Sequence, residues 1–315
     1  MTRPVLLDTD LGSDVDDAIA LAVLLACPEL RLVALTTVAG DVAGRAEASA
    51  RLLALAGAKD VDVCVGAADA LARRKRFNAE PIPIDAYPDE APRVSDEPAP
   101  ERIVRAARET PGLEIFMIGP LTNLAHALVL DPDLPKRVAR LHVMGGHIRR
   151  VAIGSLLAKP GIDYNLCSDP EASVMVLGAG FETRLVTADV TLQTWLREAD
   201  LARLAGSTSP VARALVPLIR AWTPVQQGIF VKGLGGTLAP DNVAFLHDPL
   251  TVWAAVDPSS LHFERLPIVT TIERGVLRTL EVSPDAGIGA TMEVALTVDA
   301  ERARAEMVER LLSGR

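Results

Sequence analysis

The stretch VLLDTDLGSDVDDAIALAVLLA, residues 5–26, decides the fold. Val5-Leu-Leu7 is a short apolar run of the kind that forms a strand buried on both faces. Residues 16–26 carry apolar side chains at helical spacing behind acidic residues that favour a helix start. The turn between them holds Asp8, Asp10, Asp14, Asp16 and Asp17, five carboxylates within ten residues. Acids this close repel one another unless a cation neutralises them or some of them hold protons. Helix capping accounts for Asp14 or Asp16. It does not account for Asp8 and Asp10 at the carboxyl end of a strand, with Gly12 allowing a sharp turn after them. Oxygen-only donors of this kind suit a hard cation, calcium or magnesium.

Working outward, strand-like runs at Arg31–Val38, Val61–Val65, Leu113–Ile118, Arg140–Val143 and Arg184–Thr187 alternate with helical patterns. The helical patterns are Ala43–Gly57, Glu101–Glu109, Leu121–Leu130 and Pro170–Leu177. Doubly apolar strands separated by helices predict an α/β fold, an open and mainly parallel twisted sheet with helices on both faces. After Leu261 the runs His262–Ile272, Arg278–Val282 and Met292–Val298 follow without helices between them, which predicts antiparallel additions near the C-terminus. A charged helix, Ala300–Leu312, ends the chain. No repeat or polar linker divides it, so residues 1–315 are expected to form a single domain. Two segments break the alternation. Residues 66–100 are rich in proline, and Gln226–Asn242 has the glycine content of a lid.

The composition bounds the partners. A formal charge of −9 over 315 residues argues against a nucleic-acid partner, and the basic run Arg73-Arg-Lys-Arg76 reads as a solvated face. No apolar run reaches membrane-spanning length and no signal peptide follows Met1, so a cytoplasmic protein without a membrane partner is expected. Cys27, Cys64 and Cys167 are scattered and odd in number, and read as reduced, buried small residues. Asp10, Asp41, Thr122 and Met144 each fall just past the carboxyl end of a strand-like run. In open parallel sheets, that edge is where ligands bind.

The motifs at those positions resemble one family. Asp8-Thr-Asp10 with Gly12 and Asp16-Asp17-Ala18 is similar to the signature turn of the inosine-uridine-preferring nucleoside hydrolases. Thr37-Val-Ala-Gly-Asp41, Ile118-Gly-Pro-Leu-Thr-Asn-Leu-Ala125, Val143-Met-Gly-Gly146, Asp163-Tyr-Asn165 with Asp169-Pro-Glu-Ala172, and His247-Asp-Pro249 resemble further segments of that family, in the same order. The resemblance implies hydrolysis of the N-glycosidic bond of a small ribonucleoside to ribose and free base. It implies a calcium ion held by the Asp10, Asp17 and Asp248 carboxylates and the Thr122 carbonyl. It also implies Asp10 as general base, His247 as the acid for the leaving base, and Asp16, Asp41, Met144, Asp163 and Asn165 around the substrate. A homo-oligomer, dimer or tetramer, is implied as well.

The chain departs from the family pattern in places. Two extra residues separate Gly12 from the Asp16-Asp17 pair, Asp41 stands where many members have Asn, and Asp163-Tyr-Asn165 where Glu-Phe-Asn is common. A His-Gly-rich loop after the third strand is missing. These departures bear on the substrate. Two alternatives stand beside this reading: a catalytically weak metal-dependent nucleoside or sugar binder, and a haloacid-dehalogenase-like phosphatase, whose nucleophile turn Asp8-Thr-Asp10 also resembles.

Overall fold

Val5, Leu6 and Leu7 are fully buried, and they split between two cores. Val5 and Leu7 join one apolar cluster and Leu6 the other, the alternation a strand imposes when both faces are covered. The computed structural model describes residues 2–12, 14–72, 84–87, 89, 94–153, 156–160, 163–233 and 235–314. The basic run at 73–76 and Pro81, Pro83, Pro88 and Pro92 lie outside the described residues.

In chain order the first half comprises β1 (Arg3–Thr9), α1 (Asp16–Ala26), β2 (Leu30–Thr37), α2 (Val42–Leu55), β3 (Asp62–Val65), β4 (Val94–Ser95), α3 (Ala99–Glu109), β5 (Glu114–Met117), α4 (Thr122–Leu130) and β6 (Arg140–Met144). There follow β7 (Val151–Ile153), β8 (Leu156–Ala158), α5 (Tyr164–Ser168), α6 (Pro170–Leu177), β9 (Thr183–Val186), α7 (Ala188–Thr191), β10 (Trp195–Arg197), α8 (Glu198–Ala205) and α9 (Pro210–Gly228). The last elements are β11 (Asn242–Phe245), α10 (His247–Val256), β12 (Leu261–Glu273), β13 (Val276–Glu281), β14 (Ala290–Val298) and α11 (Ala300–Ser313).

The main sheet has ten strands in the order β13-β12-β14-β9-β6-β5-β1-β2-β3-β4. From β9 to β4 every pairing is parallel. Strand order reverses at β1, with β2 on one side and β5 on the other, so the crevice beyond their carboxyl ends is the topological switch point. The C-terminal additions are antiparallel in β12 and β13, as expected, while β14 itself runs parallel to β9. Long β12 supplies the reversal that lets β14 return in the direction of the main sheet. The lid-like segment starts differently from its composition: Gln226 is a buried part of α9, and a helical turn continues over Ile229–Gly233. No described helix is long and apolar enough to cross a membrane.

One buried side chain ties the strand ends at the switch point together. Asn123, in the first turn of α4, donates to Asp8 Oδ2 at 2.7 Å and to the Thr37 carbonyl at 3.0 Å. Its own carbonyl accepts from the Ala67 amide at 2.8 Å. The ends of β1, β2 and β3 are thus held by one amide. Gly66 is required beside it, because a Cβ there would lie 2.3 Å from Asn123 Oδ1 and from the Thr37 oxygen. Removing Asn123 orphans several buried polar groups, each at about 1–3 kcal/mol. We expect Asn123→Ala to lower the unfolding free energy from urea titration by an amount in that range or above, with a lower urea midpoint; an unchanged midpoint would contradict the clamp.

Candidate active site

The turn after β1 is built around buried charge. Asp8, Asp10, Asp16, Asp17 and Asp248 are all at most 5% exposed. Asp16, Asp17 and Asp248 each present a carboxylate oxygen within 4.8 Å of the other two. Burial, compounded by repulsion from Asp10 and from one another, holds the carboxyls of Asp16, Asp17 and Asp248 well above the usual range. Burial raises Asp10 as well, and the Arg45 guanidinium opposes that rise.

Local interactions aim these groups. Thr9 Oγ1 donates to Asp17 Oδ1 at 2.5 Å, and the Leu11 amide donates to Thr9 Oγ1, which folds the turn back on α1. Arg45, fully buried in α2, donates from Nε to the Ala39 carbonyl at 2.6 Å and from Nη1 to the carbonyls of Asp10 and Leu11. Ala39 has φ of +71°, a left-handed conformation unusual for a residue with a side chain, so Arg45 pins a strained turn as well as the acidic one. A Cβ at Gly119 would stand 2.8 Å from Asp10 Oδ1, so the space beside that carboxylate depends on glycine. Capping accounts for Asp14, whose Oδ1 accepts from the Val15 amide at 2.6 Å at the head of α1, and leaves Asp8 and Asp10 unexplained.

Asp10, Asp17 and Asp248, predicted metal ligands, therefore converge electrostatically. The tightest group, however, contains Asp16, which was expected on the substrate side, in place of Asp10. Thr122 lies fully buried at the start of α4 and gives its hydroxyl to Asp169 Oδ2 at 2.7 Å. Asp163 caps α5 by accepting from the Leu166 amide, and burial pushes its carboxyl up to about 6. Asp41 likewise caps α2 through the Gly44 amide. Asn165 donates to the Ile118 carbonyl at 2.8 Å and to the Met144 carbonyl and sulfur, bridging the ends of β5 and β6. His247 opens α10, with Nδ1 2.6 Å from Thr191 Oγ1, and burial lowers its imidazole to about 4. Its ring lies 5.3 Å from that of Phe245, which also lines an apolar cleft of about 510 Å³ with Ile153, Leu192, Trp195 and Leu238. Arg45, Asn123, Asp169 and Thr191 position these groups without having stood out as site residues. Asn123 and Asp169 lie inside motifs already quoted, while nothing in the sequence marks Arg45 or Thr191.

The donors suit a hard cation. They are all oxygens, they are buried, and Asp248 Oδ1 has no hydrogen-bond partner among the described residues. Cys27 and Cys64 lie apart from the site, while half-buried Cys167 sits in α5 beside Asp163. Cys27 and Cys64 are buried, with thiols pushed up to about 12 and about 11 by burial, and no disulfide forms.

Fold and site together define an α/β protein with buried carboxylates gathered at the carboxyl edge of a parallel sheet. The model of the family described as inosine-uridine preferring nucleoside hydrolase matches residues 5–305. A probable uridine nucleosidase 2 of Arabidopsis thaliana is 28% identical, over 98% of this chain and 98% of its own. A pyrimidine-specific ribonucleoside hydrolase of Citrobacter koseri is 31% identical, over 88% of this chain and 84% of its own. A solved plant nucleoside hydrolase superposes with a TM-score of 0.81 at 28% identity, covering 99% of this chain and 100% of its own. The chain belongs to the inosine-uridine preferring nucleoside hydrolase family. It is an N-glycosyl hydrolase, and the likeness of Asp8-Thr-Asp10 to a phosphatase turn ends at that turn.

The raised carboxyls set a pH dependence. Burial pushes the carboxyls of Asp8 and Asp14 up to about 7, so in the folded chain they keep protons that the unfolded chain releases near 3.8. A group raised in this way stabilises the fold at low pH and loses that contribution as pH rises through its folded value. The ion-paired Glu114 and Glu293 are lowered instead and act below that window. The lowered imidazoles of His142 and His247 oppose this only below about pH 6.5, so protein treated with a chelator should lose melting temperature from about pH 6.5 to about pH 8, and a divalent cation should restore it. A melting temperature that is flat or rises over that range would show that the cluster carries no such strain.

Proposed function

We propose that the chain hydrolyses ribonucleosides to ribose and free nucleobase with a calcium ion bound at the acidic cluster. The observation that supports this reading most is the meeting of four buried carboxylates, Asp10, Asp16, Asp17 and Asp248, at the switch point. Asp10, Asp17 and Asp248, with the carbonyl of Thr122, would hold the ion. Asp16, placed against Asp17 and Asp248, would add its negative charge to the same site. Calcium bound there would supply positive charge that offsets these carboxylates, orients sugar hydroxyls and eases deprotonation of water.

The chain's own residues do the rest. Asp10 takes the proton of the attacking water as general base, and Arg45 favours its ionised form. The oxygen of that water bonds to C1′ as the bond to the base breaks, and the electron pair of that bond leaves with the base. The carboxylates around the ring stabilise the positive charge that develops on the sugar. Asp16, Asp41, Met144, Asp163 and Asn165 hold the sugar from the strand ends to which their caps and amide bonds fix them. His247 meets the departing base from the side of the apolar cleft, and its ring nitrogen gives the base a hydrogen bond as charge builds there.

The test is base release from a panel of ribonucleosides, with added calcium or with chelator. The panel starts with uridine, which the name of the Arabidopsis thaliana relative carries, and with inosine, which the family description carries. Calcium-dependent release is expected, and Asp10→Asn should lower kcat by about 10²–10⁴-fold, the worth of a general base, while the variant stays folded. Release that is unaffected by chelator, or near-normal turnover in Asp10→Asn, would contradict the mechanism.

A further inference from the structure

Thr191 is fully buried at the end of α7, and its hydroxyl does not turn back on its own segment as that of Thr194 does. Thr194 turns its hydroxyl back to the Val190 carbonyl at 3.3 Å, the ordinary local bond of a threonine in a helical turn. Thr191 Oγ1 reaches across to another element and meets His247 Nδ1 at 2.6 Å, fifty-six residues away in sequence. A buried hydroxyl needs a partner, and here that partner is the ring expected beside the leaving base.

The two elements are fixed against each other by backbone, so the contact is held in place. The Leu246 amide donates to the Thr194 carbonyl at 2.9 Å, and Trp195 pairs with Phe245 in the β10–β11 ladder. The Phe245 amide also donates to Gln226 Oε1 at 2.8 Å. On the other side, the Ala188 amide donates to the Gly146 carbonyl, and Asp189 accepts from the Ile148 and Arg149 amides. α7 is thus tied at both ends. His247 and Asp248, adjacent in α10, serve two directions: the Asp248 amide faces Asp16 Oδ2 at 3.4 Å, while the His247 ring turns to Thr191.

We infer that Thr191 is the positioning residue for His247. Its hydroxyl engages Nδ1, fixes the ring plane, and leaves Nε2 as the nitrogen that serves the departing base. A hydroxyl suits this task because it can donate to a bare Nδ1 or accept from a protonated one by rotating about its C–O bond. Thr191 touches no reacting atom, and its effect passes through the imidazole. The inference rests on the reading of His247 as the group that assists the leaving base.

The experiment compares two substrates in the calcium-loaded enzyme: the ribonucleoside it cleaves best and 4-nitrophenyl ribofuranoside. Nitrophenolate departs without protonation, so its release does not need the histidine. Thr191→Val removes the hydroxyl at nearly constant shape. It should lower kcat on the nucleoside by about tenfold, with KM nearly unchanged, and leave the nitrophenyl substrate near the wild-type rate. Thr191→Ser should restore most of the loss. His247→Ala should show the same selectivity with a larger loss, about 10²–10⁴-fold. Equal losses on both substrates in Thr191→Val, failure of Thr191→Ser to rescue, or no loss in Thr191→Val while His247→Ala is selective, each overturns the positioning role alone. A His247→Ala variant without selectivity overturns the reading of His247, and this inference with it.

Discussion

Mutual repulsion among buried carboxylates is the constraint on which the rest of the site depends. Asp10, Asp16, Asp17 and Asp248 come from two ends of the chain and meet out of water, where each raises the cost of ionising the others. The fold tolerates this because rigid elements impose it. β1 delivers Asp10, the Thr9 bond turns the chain so that α1 delivers Asp17, and α10 brings Asp248 from the far side. Arg45 provides a buried counter-charge and pins two turns at once. The destabilisation has a use. A pocket that is costly without a cation is one that gains much from binding it.

Much of the fold was legible in residues whose role is set locally. Helix α1 runs over Asp16–Ala26 and α6 over Pro170–Leu177, the bounds that their patterns predict, because apolar spacing and, for α6, the Asp169 cap are written in neighbouring residues. The doubly buried strands were legible for the same reason: runs such as Leu113–Ile118 have no polar face. The direction of β14 was not, because it depends on what β12 does before it and on the free edge of β9.

The site was legible as a set of positions and less so as a set of partners. Carboxylates after a strand announce themselves, and the motif order places Asp248 with them. Which three come closest depends on the rotation of α1 against α10, and that rotation brings Asp16 into the group. Asp41 and Asp163 carry capping bonds to Gly44 and Leu166, so the ordinary reading of such residues holds alongside any role at the sugar. Asn123, Arg45 and Thr191 act through contacts 115, 35 and 56 residues apart. No local pattern encodes contacts of that range.

The central claim is that the cluster exists to bind one hard cation, and direct titration tests it. Calcium would be titrated calorimetrically into chelator-stripped wild type and into Asp248→Asn, a variant that keeps the shape of the side chain and removes its charge. The account predicts uptake of a single ion per chain by the wild type and a loss of most of that affinity in the variant. No uptake by the wild type, or equal binding by both proteins, would contradict it.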